Sequence, residues 1–239
     1  MTVLVIGASG AIGSACVMTA KKSFPVIAAD LKPSVLGEVK TYKIDVSQLD
    51  SVTEVIHEIN KSSPLTGVIY AAGLNTTGYL DAVDWQDYER VMSVNLRGAF
   101  YVGSTLLRLS RQEKRAINSV FISSTAGLVG EPGGTVYCAS KFGLIGFVQS
   151  FAGEISQFGG RSNVVCPGNV ESPMLLDLAT KIGLRDGRSG EQVIDQWKEA
   201  SSLKRLIRPD EVAETCVWLL SPGSSGICGQ TFIVDGART

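Results

Sequence analysis

Tyr137 and Lys141 stand four residues apart in Tyr137-Cys-Ala-Ser-Lys141. On a helix that spacing puts both side chains on one face. A phenol beside an ammonium makes a base that works near neutral pH. Free tyrosine titrates near ~10, and lowering it by roughly three units takes about 4 kcal/mol of preference for the phenolate. A unit positive charge ~4 Å away supplies about that much at an effective dielectric near ~20, less the desolvation of the pair. Tyrosine and lysine at this spacing recur by chance, so their meaning comes from what surrounds them. Ser124 closes the apolar run Phe121-Ile-Ser-Ser124, and a loop bearing glycine and proline joins it to Tyr137. A strand, a loop and a helix start would bring the serine hydroxyl to the phenol.

The elements needed to hold such a site follow in order. Val3 to Ile6 is a short apolar run of the kind found in a parallel strand covered on both faces. Gly7-Ala-Ser-Gly-Ala-Ile-Gly13 follows and leads into a helix. A glycine turn between strand and helix lets backbone N–H groups approach a pyrophosphate at the positive end of the helix dipole. The second strand, Pro25 to Ala29, ends on Asp30. A carboxylate about 20 residues past the glycine turn is placed to accept from an adenosine ribose, and it repels a 2′-phosphate. That favours NAD, while Lys32 keeps NADP in view. A third strand, Thr41 to Ile44, is reached through a segment with room for at most a turn of helix, and Asp45-Val46 closes it beside the adenine. Gly67 to Tyr70 is a fourth strand ending in Ala71-Ala72-Gly73, small residues suited to a ligand passing close to backbone.

Asp84 is placed to cap one long helix running through Trp85 to Phe100, with Asn95 inside it among apolar neighbours. Arg108, Arg111, Lys114 and Arg115 form a basic cluster near the end of that helix, a solvated face by default and a docking patch for an acidic carrier protein as the sharper alternative. Ser119 to Ser124 is the fifth strand and Asn163 to Cys166 the sixth, stopped by Pro167-Gly168. Gly143 and Gly146, inside the helix that starts at Tyr137, imply close packing there by the sheet or a partner subunit. Residues 170–206 read as short helices lying over a pocket as a lid, poorly ordered around Gly183 and Gly187 to Gly190. Pro209 starts the last helix, and Gln230 to Val234 is the seventh strand. This alternation predicts a single α/β domain with a doubly wound, seven-stranded parallel sheet and its ligand at the carboxyl edge.

Composition narrows the partners. The chain has 239 residues, 44% hydrophobic and 19% charged, with a net charge of −1. No excess of positive charge calls for nucleic acid or an anionic membrane. No run is long enough for a membrane-spanning helix, and no secretion signal is visible, so a cytoplasmic protein is expected. The five cysteines are scattered without a C-x-x-C pair and read as small buried residues in a reducing compartment. The single histidine, His57, falls on an amphipathic helix and reads as a surface residue, so no metal site is expected.

Taken together, the order of these motifs resembles the short-chain dehydrogenase/reductase family, in its compact branch, over essentially the whole chain. The glycine turn matches at Gly7 to Gly13, with Ile6 and Ala11 where threonine and glycine are commoner. The family's N-N-A-G appears as Tyr70-Ala-Ala-Gly73. Val94-Asn-Leu96 matches the helix motif, Ser124 lies thirteen residues before Tyr137, and Pro167-Gly168, Val170 and Ser172 match the segment at the nicotinamide. The resemblance implies a Rossmann-type fold and a homotetramer or dimer. It assigns catalysis to Asn95, Ser124, Tyr137 and Lys141. It assigns NAD to Gly7, Ser9, Gly10, Ala11, Ile12, Gly13, Asp30, Leu31, Asp45, Val46, Ala71, Ala72, Gly73, Tyr137, Lys141, Pro167, Gly168, Val170 and Ser172. The implied reaction is hydride exchange between nicotinamide and a secondary alcohol or ketone. In it Tyr137 moves the hydroxyl proton, Lys141 lowers the phenol's pKa and holds the nicotinamide ribose, Ser124 bonds the substrate oxygen, and Asn95 holds a water that links Lys141 to solvent. Two alternatives remain: a 3-oxoacyl thioester or acyl-carrier-protein reductase, suggested by the basic cluster, and a dinucleotide-binding sensor without turnover.

Overall fold

A computed structural model describes residues 2–237. Seven parallel strands form one sheet: β1 Thr2–Ile6, β2 Val26–Asp30, β3 Lys40–Lys43, β4 Leu65–Tyr70, β5 Asn118–Ile122, β6 Ser162–Pro167 and β7 Thr231–Val234. Their order is β3-β2-β1-β4-β5-β6-β7, so the direction of winding reverses between β1 and β4. In sheets of this kind the crevice outside the strands' carboxyl ends at that reversal is where ligands bind. The pairing Val5↔Ala28 and Val5↔Ile69 fixes β1 between its neighbours.

Apolar residues on both faces of the strands explain why helices cover both sides. On β1, Val3 and Val5 face the layer made by α1 (Ala11–Ala20) and α8 (Pro209–Leu220), while Leu4 and Ile6 face the other. That second layer is α2 (Leu49–Ser62), α4 (Gly98–Glu113) and α5 (Thr135–Ser156), which bury Ile56, Leu106, Val148 and Phe151 against Tyr70 and Phe121. Between β6 and α8 lie α6 (Pro173–Asp186) and α7 (Gly190–Glu199). Asp84 caps α3 (Trp85–Met92) by accepting from Gln86 N at 2.9 Å, as expected. His57 is exposed on α2, and four of the five free cysteines are buried.

Two expectations need correction. The helix predicted through Phe100 is interrupted: Ser93–Arg97 forms a π turn that separates α3 from α4 and carries Asn95. The 187–190 region is a well-defined corner. Gly187 ends α6 in the left-handed conformation (φ 69°), and Ser189 with Gln192 forms a reciprocal capping box at the start of α7. Gly183 packs under that corner, where a Cβ would meet Arg188 O at 2.7 Å. As for the two α5 glycines, Gly143 lies against Leu96, but among the described residues a Cβ on Gly146 would meet nothing beyond its own helix within 4 Å.

Candidate active site

The glycine turn is shaped by contacts between main chains. Gly7 has φ 83°, and a Cβ there would collide with the Ala71–Ala72 peptide at the end of β4; one at Gly13 would collide with Gly7 O. These two glycines let β1, α1 and β4 approach. Gly10 is different. A Cβ on it would meet only Gly7 O, at 3.5 Å. It caps α1 with no side-chain hydrogen bond, and no acid occupies the first turn of that helix. Protein packing therefore gives no reason for glycine at position 10. The bare backbone and uncompensated helix terminus fit a pyrophosphate drawn in close.

At the end of β2 the Asp30 carboxylate is fixed from two sides. Oδ2 accepts from Ser9 N at 3.0 Å, and Oδ1 accepts from Lys32 N at 2.9 Å. Ser9 Oγ donates to Lys32 O and accepts from Ser34 N, tying the glycine turn to the link after β2. Leu31 is half exposed at this rim. Asp45 accepts from both the backbone and hydroxyl of Ser47. Val46 is a core residue whose side chain lies under Gly98.

On the other side of the reversal, Ser124 Oγ accepts from Ala126 N at 3.1 Å. That bond orients the hydroxyl and leaves its hydrogen to donate to a substrate oxygen. Tyr137 sits in the first turn of α5, and Lys141 Nζ lies 5.6 Å from the centre of its ring. The lysine is buried, with Nζ donating to Ile122 O at 2.9 Å. Ser123 Oγ donates to Lys141 O at 2.9 Å, so adjacent serines hold both ends of the site. A Cβ on Gly73 would touch Lys141 Nζ and Asn95 Oδ1, which places β4's end against both.

Asn95 is fully buried. Its Oδ1 accepts from Leu74 N at 2.8 Å, and its Nδ2 donates to Leu74 O at 2.9 Å and to Ser140 Oγ at 3.0 Å. Both amide hydrogens are spent, and one acceptor lone pair is left. The side chain is first of all a clamp joining β4's exit to α5.

The electrostatics depart from expectation. With protein groups alone, burial pushes the Tyr137 phenol up to about 12, and the neighbouring Ser124 hydroxyl offsets only part of this. Burial brings Lys141 down to about 8. Desolvation of both partners outweighs the lysine's attraction for a phenolate, so this pair does not by itself produce an acidic phenol.

A cleft opens at Ser124 and Tyr137. Ile12, Pro167, Gly168, Val170 and Ser172 line it with Ser124 and Tyr137. Ser172 accepts from Leu175 N and donates to Val170 O, capping α6 where the lid begins. On the far wall the expected lid supplies Met174, Leu178 and Ile182 of α6, while the residue spacing gave no sign of Asn75, Thr76 and Thr77 after β4, Glu131 to Gly134 before α5, or Arg185 on α6. The three apolar ones and Arg185 recur at helical spacing. That signal was present, but not which way the face pointed.

The basic cluster lies elsewhere. The last turn of α4 feeds the amino end of β5, opposite the edge that carries Ser124. Arg115 is committed there to Leu65 O, Asn60 and Glu113.

A family model described as enoyl-(acyl carrier protein) reductase matches residues 12–238. The chain is 30% identical to a 3-oxoacyl-[acyl-carrier-protein] reductase of Thermotoga maritima, covering 98% of this chain and 95% of that protein. The chain belongs to the short-chain dehydrogenase/reductase family. An acetoacetyl-CoA reductase of Synechocystis is 31% identical over 99% of this chain and 95% of its own. Among solved structures, the ligand-free aldohexose dehydrogenase of Thermoplasma acidophilum superposes with a TM-score of 0.89 at 26% identity, covering 98% of this chain and 92% of that one. As a short-chain dehydrogenase/reductase the chain is of an oxidoreductase family that binds a nicotinamide dinucleotide. Among the described residues no helix is long and apolar enough to cross a membrane, and no cluster of metal-ligating side chains occurs.

Proposed function

We propose that the protein oxidises a secondary alcohol, or reduces the matching ketone, with NAD(H). Ser124 and Tyr137 on one carboxyl-edge cleft, with Lys141 and Asn95 buried beside them behind Gly73, are the observation that carries this reading. The dinucleotide supplies hydride acceptance and donation. Ser124 donates to the substrate oxygen, and Tyr137 takes or gives the hydroxyl proton. Lys141 stabilises negative charge on the phenol, and Asn95 keeps β4's exit in register with both. Positioned acid–base help of this kind is worth about 10²–10⁴-fold. NAD is favoured over NADP because Asp30 presents a fixed carboxylate where the 2′-oxygen of the ribose would lie. We place the enzyme in the cytoplasm, acting on a small molecule and not on nucleic acid or membrane. We also place it in a homo-oligomer, a tetramer or a dimer: Phe100 is half exposed beside Gly103, Gly146 and Phe147, an apolar groove suited to a second copy.

The test is NADH absorbance over a panel of alcohols and ketones with wild type and Tyr137→Phe. Turnover that falls about 10³-fold while NADH still binds is expected; a near-normal rate in the variant would remove Tyr137 from the chemistry. A second reading, reduction of a 3-oxoacyl thioester, is favoured by the names of the two reductases above and no longer by the basic cluster. Activity on acyl thioesters but on no free alcohol would select it. A sensor without turnover would not require all four of these residues.

A further inference from the structure

Arg185 ends the α6 face made by Met174, Leu178 and Ile182, one turn beyond the last of them, and lines the same cleft as Tyr137. Its guanidinium is held from behind. Nε donates to Asp186 Oδ1 at 2.7 Å and Nη2 to Asp186 Oδ2 at 3.3 Å. The ring of Tyr79 lies 5.1 Å below the guanidinium carbon. Nη1 reaches across the cleft to Thr77 Oγ1 at 3.4 Å, a long contact that leaves donor capacity on that nitrogen. Gly133 makes the notch that receives it. With φ 77° and no side chain, Gly133 lets Nη1 occupy the space a Cβ would fill. Thr77 Oγ1 in turn donates to Gly133 O at 3.2 Å, and Gly78 N donates to the same carbonyl at 2.9 Å. Three segments distant in sequence thus converge to hold one cation with part of its donor fork facing the cleft.

We propose that Arg185, braced by Asp186 and Thr77, determines specificity in this cleft by holding an anionic head, a carboxylate or phosphate, of a short secondary alcohol or ketone. A planar fork of donors suits either oxyanion. Gly133 lies just before α5, four residues ahead of Tyr137, and both line the same cleft, so the head and the reacting carbon belong to one small molecule. Apolar Met174, Leu178 and Ile182 suit its hydrocarbon part. Glu131 lines the same cleft, and its charge is one of those raising the Tyr137 phenol. The head therefore lies on the Thr77 side, away from that carboxylate.

This inference rests on the hydride-transfer reading above, and the experiment separates the two. Wild type, Arg185→Met, Arg185→Lys and Thr77→Val are assayed with NAD on 2-, 3- and 4-hydroxy acids, on a polyol phosphate, and on neutral alcohols of the same skeletons. A charged hydrogen-bonding partner is worth roughly 10–10²-fold. Wild type is expected to favour one anionic class by that factor. Arg185→Met should lose the preference for the anionic class, Arg185→Lys should keep part of it, and Thr77→Val should weaken it several-fold. The class favoured decides between carboxylate and phosphate. Equal use of charged and neutral alcohols, or a preference that survives Arg185→Met, overturns the proposal and leaves the oxidoreductase standing. Should no alcohol turn over, calorimetric titration of the protein–NADH complex with the corresponding 3-oxo acid reads the anion site directly. Saturable binding lost in Arg185→Met supports the proposal even then, and no binding overturns it. Unaltered NADH affinity in each variant shows that the fold is kept.

Discussion

Gly7, Gly10 and Gly13 on one side of the β1–β4 reversal, and Arg185, Thr77 and Gly133 on the other, build two halves of one crevice by different means. The first half is backbone against backbone, with collisions that any side chain would cause at Gly7 and Gly13 and none at Gly10. The second is made of side chains from three separated segments, held by hydrogen bonds and one cation. A ligand common to many enzymes needs a shape that does not vary, and main chain supplies it. A ligand particular to one enzyme needs side chains, which can change without disturbing the sheet. The first half should therefore be brittle and the second tolerant.

The sharpest way to break that contrast is Gly13→Ala. Its Cβ has nowhere to go but into Gly7 O. We expect a loss of about 3 kcal/mol or more, as for severe overpacking, with loss of NADH binding, read by denaturant unfolding and fluorescence titration. A variant that melts and binds like wild type would show the turn to be pliant. Next comes Lys141, the buried cation between the halves. Its folded pKa, about 8, lies below the ordinary 10.5. The unfolded chain then binds more protons between these values, so the group's contribution is complete above 10.5 and lost as pH falls through about 8. At about 1.4 kcal/mol per tenfold change in proton affinity, the difference is worth up to about 3 kcal/mol. Lys141→Met should be inactive, and its stability should gain on wild type as pH is lowered from 10.5 to 8. Parallel stability curves for the two proteins would mean the amine is not desolvated. Asn95→Ala leaves the Leu74 amide and carbonyl without partners, at about 2 kcal/mol, and should slow turnover by misplacing β4's exit. Chemical denaturation with steady-state kinetics checks both. The smallest effect belongs to Asp30→Ala, which should narrow the preference for NAD over NADP by roughly tenfold, about 1.4 kcal/mol. Unchanged selectivity would detach that carboxylate from the ribose.

The same contrast governs what could be read from the chain. The strands and their order were legible because they are short apolar runs punctuated by glycine and proline, and each carries its signal locally. The glycine turn and the Ser124–Tyr137–Lys141 spacing were legible for the same reason. Arg185 was not, because nothing near it in sequence says that α6 turns that face toward Gly133. The position of the basic cluster at the wrong edge follows only from the direction of β5. The phenol's rise to about 12 was missed because the sequence shows a neighbouring cation but not how deeply the pair is buried. The π turn has no composition of its own: Val94-Asn95-Leu96 suits a regular helix equally well.

That π turn binds two positions into a single unit. The Tyr70 hydroxyl donates to Val94 O at 2.5 Å. A Cβ at Gly98 would lie 2.5 Å from that same hydroxyl. Neither residue can drift alone: enlarging position 98 evicts the phenol, and shortening position 70 leaves a hollow beneath the helix. A larger residue at 98 must displace Val46 O, 2.9 Å from that Cβ, as well as the phenol, so the packing of β3's exit is held by the same glycine.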